Sequence, residues 1–177
     1  MRRIEYEQCF DDFRAYMQVE GTEWLEKGPL RAALRIRYSY ENSTFVQDFS
    51  LSQDQKYLRV KCKAVWQAPH TILKVSFPVR GKDAVSTYEI PFGFIKRPAN
   101  GEEEPALRWA DVTAVQQNGT RCGLAILNDS KYSYSCRGSD LRLTCLRNAL
   151  FADHYFGREG ADLRYTDEGV QRFEYAV

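Results

Sequence analysis

A short polar cluster, NDSKY at residues 128–132, holds the side chains in this sequence that are best suited to binding a ligand. Amide, carboxylate, ammonium and phenol groups can each hydrogen-bond a sugar hydroxyl, and a tyrosine ring also offers a stacking face. The candidate substrate-binding residues are therefore Asn128, Asp129, Lys131 and Tyr132. Asn and Asp also form local side-chain to backbone bonds, so the residue types favour a plain turn and leave the binding role open.

Signals for catalysis or metal binding are weak elsewhere in the chain. The two histidines, His70 and His154, belong to no metal-ligand motif, and we expect a hydrogen-bonded structural role for His70. Paired carboxylates can hydrolyse glycosides, but the densest acidic group, residues 102–104, lies in a segment with two prolines that is typical of a solvated surface loop. The residues therefore predict neither a catalytic group nor a metal site in this chain.

Charge and cysteine content restrict the partners and the compartment. The 25 basic and 24 acidic residues are interspersed without a basic stripe, which argues against nucleic acid. The five cysteines include no C-x-x-C pair, and their odd number favours reduced thiols in a cytoplasmic protein. No signal-peptide core and no long apolar run occurs, so we expect neither export nor insertion into a membrane.

Strict alternation of apolar and polar residues is the main signal for secondary structure. A period of two buries one face and leaves the other wet, as in an antiparallel strand. Repeated short strands separated by turns predict an all-β protein, an antiparallel β-sandwich of two sheets. Strands are predicted at residues 30–40, 43–51, 58–66, 73–79, 88–92, 109–115, 122–127, 141–145 and 173–177, with residues 96–106 as a loop. Between residues 127 and 141 the order is the polar loop, a further strand that contains Tyr132 and Tyr134, and a turn.

The first 27 residues and residues 148–169 are the least regular segments. Phe10, Phe13 and Met17 fit one face of a short helix, but alternation over residues 13–19 favours a strand, in keeping with the rest of the chain. Residues 148–169 are interpreted as a long loop. The length suits a single β-sandwich domain over residues 1–177, with residues 1–27 as its lead-in.

An ordered series of sequence blocks resembles the pattern of a known family. The most specific block is GLAILNDSKY at residues 123–132. The others are EKGPLRA (26–32), NST (42–44), VWQAPH (65–70), LKVSFPV (73–79), YEIPFG (88–93), RP (97–98), WAD (109–111), LRLTCLR (141–147) and FEYAV (173–177). Over about residues 24–177, the chain resembles the C-terminal β-domain of glycoside hydrolase family 38, the retaining α-mannosidases. It departs from the family pattern at Ser133, where a glycine is usual, and at residues 148–151, where a proline-containing segment is usual.

The resemblance implies a β-sandwich similar to the galactose-mutarotase-like supersandwich, excised from a longer α-mannosidase. The parent enzyme would hydrolyse terminal α-D-mannosides in glycans or oligosaccharides. Its N-terminal catalytic barrel and helical domain would be the partners of this chain and would carry the catalytic carboxylates and the zinc ion. The fragment alone would bind no cofactor and be inactive, and its docking surface would favour self-association.

Two alternatives from other functional classes remain open. A free-standing carbohydrate-binding module would recognise glycans on a sheet face or at the loop that contains residues 128–132. A purely structural domain would use its surface to dock against neighbouring domains and nothing else.

Overall fold

The computed structural model describes residues 15–150 and 164–177, which form thirteen strands in two antiparallel sheets. The predicted all-β antiparallel fold is thus confirmed. The strands are β1 Gln18–Lys27, β2 Arg31–Tyr40, β3 Ser43–Ser52, β4 Arg59–Trp66, β5 Thr71–Pro78, β6 Lys82–Ile90, β7 Gly93–Arg97, β8 Asn100–Pro105, β9 Trp109–Val115, β10 Arg121–Asn128, β11 Ser133–Arg137, β12 Asp140–Asn148 and β13 Gly169–Ala176.

The two sheets differ in size and are threaded alternately by the chain. The nine-stranded sheet has the order β1-β2-β3-β4-β13-β10-β9-β6-β7, and the four-stranded sheet has the order β5-β12-β11-β8. The last strand, β13, lies between β4 and β10 in the middle of the larger sheet. The chain leaves the larger sheet after β10 and enters the smaller one at β11, so the loop at residues 129–132 connects the two layers.

A single buried cluster of apolar side chains fills the space between the sheets. Tyr88 of β6 meets Tyr134 of β11 edge-to-face at 6.3 Å between ring centroids, and Phe77 of β5 meets Tyr175 of β13 at 5.7 Å. Such tilted aromatic pairs contribute about 0.5–1.5 kcal/mol beyond their buried area. Because each pair joins one strand of each sheet, these contacts fix the sheets face to face.

The prediction of a loop at residues 96–106 was wrong. The segment contains the end of β7 and all of β8, with residues 98–99 between them. Each of these strands lies at an edge, β7 in the larger sheet and β8 in the smaller. Edge strands tolerate proline and charged residues because one side of their backbone has no neighbouring strand. The prolines and glutamates of these two edge strands therefore led to the prediction of a loop.

The Glu triplet is also more structured than a solvated loop. Glu103 of β8 accepts hydrogen bonds from Ser133, Thr144 and the ammonium group of Lys74. Burial raises the pKa of this carboxyl group, but the Lys74 charge and the three hydrogen bonds outweigh that effect and hold the pKa of Glu103 below its ordinary value. The ionised Glu103 therefore ties edge strand β8 to β11, β12 and β5 of its sheet.

Replacing Glu103 with Gln should lower the free energy of unfolding by about 1–2 kcal/mol at pH 7, because a charged acceptor of several bonds is lost. The folded pKa lies below the unfolded one, so this contribution is complete above about pH 4.5 and disappears as pH falls through the folded pKa. Urea unfolding at pH 7 and pH 3 measures the difference. The matched control is Glu102→Gln, an exposed neighbour; equal losses in both variants would refute the assignment.

The structure near the two chain ends agrees only partly with the prediction from the sequence. β1 is a strand, as favoured, but almost every residue in it is exposed; Phe10 and Phe13 lie outside the described residues. β13 begins at Gly169, earlier than predicted, and β12 continues to Asn148, so the predicted loop at residues 148–169 is shorter at both ends. Residues 151–163 lie outside the described part of the chain.

His70 and four of the five cysteines lie within the described residues. His70 Nε2 lies 3.0 Å from the Tyr165 hydroxyl group, which supports a hydrogen-bonded role. Cys62, Cys122, Cys136 and Cys145 carry free thiols. Burial raises the pKa of Cys62 to about 12, so this thiol stays protonated and behaves as a small apolar side chain. Within residues 15–150 and 164–177, no helix has the length and apolar character needed to cross a bilayer.

Candidate functional site

The connection at residues 128–132 lies where β10 ends beside β13. Register places Leu127 opposite Ala176 and Asn128 opposite Tyr175. The chain then turns away from the larger sheet and enters β11 at Ser133. The predicted order of strand, polar loop and strand is therefore confirmed, and we call residues 128–132 the crossover loop.

Asn128 is the buried pivot of the crossover loop. Its side-chain oxygen accepts hydrogen bonds from the backbone N–H groups of Ser130, at 2.9 Å, and of Lys131. Its amide nitrogen donates to the Tyr134 hydroxyl and to the Arg108 carbonyl, the latter at 3.3 Å. This is the side-chain-supported turn that the residue type favours. Every polar group of the Asn128 side chain is thus engaged inside the protein.

Asp129 links the crossover loop to β13. Its Oδ1 atom accepts the backbone N–H of Glu174 at 3.1 Å and the Ser130 hydroxyl at 2.7 Å, while its own N–H donates to the Glu174 carbonyl at 3.2 Å. The residue is exposed, and its second carboxylate oxygen has no hydrogen bond to the described residues. Asp129 therefore has one oxygen that holds the loop and one that a ligand can reach.

Lys131 and Tyr132 point to different surroundings. The Lys131 ammonium group lies 4.7 Å from the centroid of the buried Phe173 ring, a cation–π contact that holds its long side chain in place. The Tyr132 side chain is 57% exposed. A phenol that is this open to solvent offers both a hydroxyl group and a stacking face to a sugar.

The buried phenol of Tyr134 supports the loop and is not an acid or base at neutral pH. Burial raises the pKa of Tyr134, and the hydrogen bond from Asn128 opposes that rise only in part. The nearest acid on β13, Glu174, is ion-paired with Arg59. Tyr134 therefore has a structural role in the loop.

The donor set does not fit a zinc ion. Zinc sites in proteins take three or four His, Cys, Asp or Glu ligands, and the crossover loop supplies one carboxylate that is already half engaged. Among the described residues, no group of three or more such side chains lies together. No step through a metal is therefore assigned to this loop.

The four predicted site residues share one loop because they are nearly consecutive, but their side chains have different surroundings. The structure also adds neighbours that the sequence did not reveal. Arg108, Tyr134, Phe173 and Glu174 all contact the loop. Tyr134 and Phe173 could be read as inward residues of strands, but nothing in their spacing shows that they meet the loop. The contact with Glu174 spans 45 residues of sequence and exists because β13 inserts beside β10.

Comparison with known proteins places the chain in a family. The model of the glycosyl hydrolases family 38 C-terminal domain matches residues 7–155. Alpha-mannosidase 2C1 of Homo sapiens is 39% identical over 165 residues, and the mouse protein of the same name is 36% identical. Each alignment covers 89% of this chain and 14% of the relative, so the chain spans about a seventh of those proteins. An alpha-mannosidase of Saccharomyces cerevisiae is 30% identical over 77% of the chain.

Solved structures share the fold. An alpha-mannosidase from Enterococcus faecalis V583 superposes with a TM-score of 0.70, covering 90% of this chain and 22% of that chain at 11% identity. At such low identity the likeness shows the fold alone. The family match covers most of the residues from the lead-in to β12, and it confirms the resemblance read from the sequence blocks. The chain belongs to the family of glycosyl hydrolases family 38 C-terminal domains.

Proposed function

We propose that this chain is the C-terminal domain of an α-mannosidase that hydrolyses terminal α-D-mannosides in glycans or oligosaccharides with retention of configuration. One observation carries the proposal: the chain aligns over most of its length with a small part of proteins named alpha-mannosidase, within a family defined as a C-terminal domain. In this arrangement the catalytic carboxylates and the zinc ion belong to an N-terminal barrel.

The domain supports that barrel and the adjoining helical domain through its exposed apolar side chains. On the outer face of the larger sheet, Phe94 of β7 is 63% exposed and Leu127 of β10 is 51% exposed, and Phe92 at the β6–β7 turn is fully exposed. Phe92 also has a φ of 66°, an unfavourable conformation for a bulky residue. Exposed apolar side chains of this kind support docking, and they also favour self-association when the domain is alone.

The crossover loop contributes to the mannoside site through Asp129, Lys131 and Tyr132. The free carboxylate oxygen of Asp129 accepts a sugar hydroxyl, while the ammonium group of Lys131 and the phenol of Tyr132 donate to sugar oxygens. Asn128 positions these three side chains because its hydrogen bonds to the backbone of Ser130 and Lys131 fix the turn. The free thiols of the described cysteines support a reducing, cytoplasmic location.

The direct test is an assay of the full-length gene product on an aryl α-mannoside, with zinc removed and then restored. Activity that is lost with the metal and returns with it supports the proposal. A full-length protein without mannosidase activity, or one whose isolated domain binds manno-oligosaccharides as tightly as the whole, would favour a free-standing carbohydrate-binding module.

Asp129→Asn in the full-length enzyme should lower kcat/KM on the mannoside by roughly tenfold to a hundredfold, the effect of weakening a charge-assisted hydrogen bond. The neutral amide keeps an oxygen for the backbone N–H of Glu174, so the fold should be retained. The control is Glu41→Gln, an exposed carboxyl-to-amide change in the β2–β3 turn at the opposite end of the larger sheet. Unchanged kcat/KM in Asp129→Asn would remove the loop from the sugar site while leaving the domain assignment intact.

A further inference from the structure

The outer face of the larger sheet carries a row of alternating charges across five strands. Register places these residues side by side from β1 to β13, in the order Glu23, Arg35, Asp48, Lys61 and Glu174. Opposite charges in directly facing positions attract each other, whereas like charges there are destabilising. By register alone, Lys61 has an acid on each side.

Among the described residues, the ion pairs that form leave Lys61 without an acidic partner. Asp48 receives two hydrogen bonds from Arg35, at 2.6 and 2.7 Å, in the bidentate arrangement that suits a guanidinium group. Glu174 is paired with Arg59. Both acids next to Lys61 are therefore ion-paired with arginines. Lys61 itself makes no ion pair with the acids that the structure describes.

The next row adds two more cations. Lys63 of β4 lies directly opposite Arg172 of β13. Both residues are exposed, and neither has an ion pair with a described acid. Facing Cα atoms in such a pair are about 5 Å apart, and Lys61 stands about 6.7 Å along the strand from Lys63. We call Lys61, Lys63 and Arg172 the cationic cluster; its like charges repel and gain no compensation from the described part of this chain.

The cationic cluster lines a shallow groove on two central strands of the larger sheet. The groove has a volume of about 350 Å³, and its other lining residues are Arg35, Arg37, Val46, Asp48 and Cys62. The charge of Asp48 is compensated by its two hydrogen bonds from Arg35. β4 and β13 are neighbours in the middle of the nine-stranded sheet, with strands paired on both sides of each, so the backbone spacing of the cations does not depend on a mobile loop.

We propose that this groove binds a dianionic phosphate group, either free inorganic phosphate or the phosphate monoester of a sugar. The planar Arg172 guanidinium group can hold two phosphate oxygens, while Lys61 and Lys63 act as point charges on the others. The Cα atoms of the three residues lie about 5–8 Å from one another, so their long side chains can converge on one tetrahedral dianion. The proposal is independent of mannosidase activity and of the crossover loop.

Titration of the purified protein with inorganic phosphate and with hexose 6-phosphate, followed by ³¹P NMR and calorimetry, tests the groove. Saturable binding at low ionic strength is expected, and it should weaken with added salt because the cations are exposed. Lys63→Gln and Arg172→Gln should each weaken binding about tenfold, the loss of one charge-assisted contact. Lys56→Gln, which removes the same charge from the exposed β3–β4 turn, should leave it unchanged.

The outcomes separate the sources of the ligand and the competing explanations. Tighter binding of hexose 6-phosphate identifies a sugar phosphate, and tighter binding of inorganic phosphate identifies the free ion; binding of the ester should strengthen as pH rises through its second pKa near 6. If Lys56→Gln weakened phosphate binding as much as Lys63→Gln and Arg172→Gln, binding would depend on the net charge of the protein and not on the groove. Binding of a glutamate-rich peptide without binding of phosphate would make the groove a protein-docking surface, and either result overturns the proposal.

Discussion

Replacement of Trp66 by Ala should lower the free energy of unfolding by about 3–5 kcal/mol, the usual cost of removing a large aromatic side chain from a core. Trp66 is 2% exposed and stacks on Tyr40 at 6.2 Å between ring centroids. Its indole N–H donates to the Thr71 hydroxyl at 2.9 Å and to the Ala68 carbonyl at 3.1 Å. The change therefore leaves a cavity and also weakens the turn between β4 and β5.

Trp24→Ala is the matched control for this experiment. Trp24 lies on β1, is 54% exposed and has the Lys27 ammonium group 5.1 Å from its ring centroid. Loss of that surface contact should cost about 1 kcal/mol or less. Urea unfolding with unchanged m-values gives both numbers, and the melting temperature should fall by about 2–4 °C per kcal/mol in a chain of this size. Similar losses in the two variants would show that Trp66 is not a core residue.

Asn128→Ala should destabilise the protein by about 2–4 kcal/mol, because two backbone donors and the Tyr134 hydroxyl lose a buried partner at once. The side chain is 9% exposed, so water cannot easily replace the amide. The turn at Ser130 and Lys131 should loosen with it. The free energy of unfolding and hydrogen exchange of the two turn amides measure the effect.

Ser130→Ala is the control in the same loop, since its exposed hydroxyl bonds to Asp129. Its cost should stay below about 1 kcal/mol. If Asn128→Ala were as mild as Ser130→Ala, Asn128 would not be the pivot of the loop. The pair also clarifies the sugar-site test: reduced activity in Asn128→Ala reports loss of the turn, whereas reduced activity in Asp129→Asn reports loss of a ligand contact.

The alternation of apolar and polar residues predicted most strands, because a strand that buries one face has an apolar residue at every second position. In β4, Val60, Cys62, Ala64 and Trp66 are buried, while Arg59, Lys61 and Lys63 are exposed, as a period of two requires. The same rule failed for β7 and β8. Edge strands bury little on either face, so proline and glutamate at residues 96–106 carried the signature of a loop.

The candidate site was predicted in part. Residue types in the crossover loop indicated hydrogen bonding and a turn, and both follow from the short polar side chains of Asn128 and Asp129. The sequence could not predict that Asn128 supports the turn while Asp129 faces solvent. Whether Asn128 is buried and Asp129 exposed depends on β13, Arg108 and Tyr134, which approach from other parts of the chain.

The sequence by itself determined the all-β class, the strand faces, the polar loop and the family, because each depends on local order along the chain. The tertiary structure decided that β10 and β11 belong to different sheets, which makes the loop a connection between layers. It also placed Lys63 opposite Arg172. The two acids next to Lys61 form ion pairs with arginines instead, Asp48 with Arg35 and Glu174 with Arg59. Contacts between strands distant in sequence follow from packing, and the local pattern does not specify them.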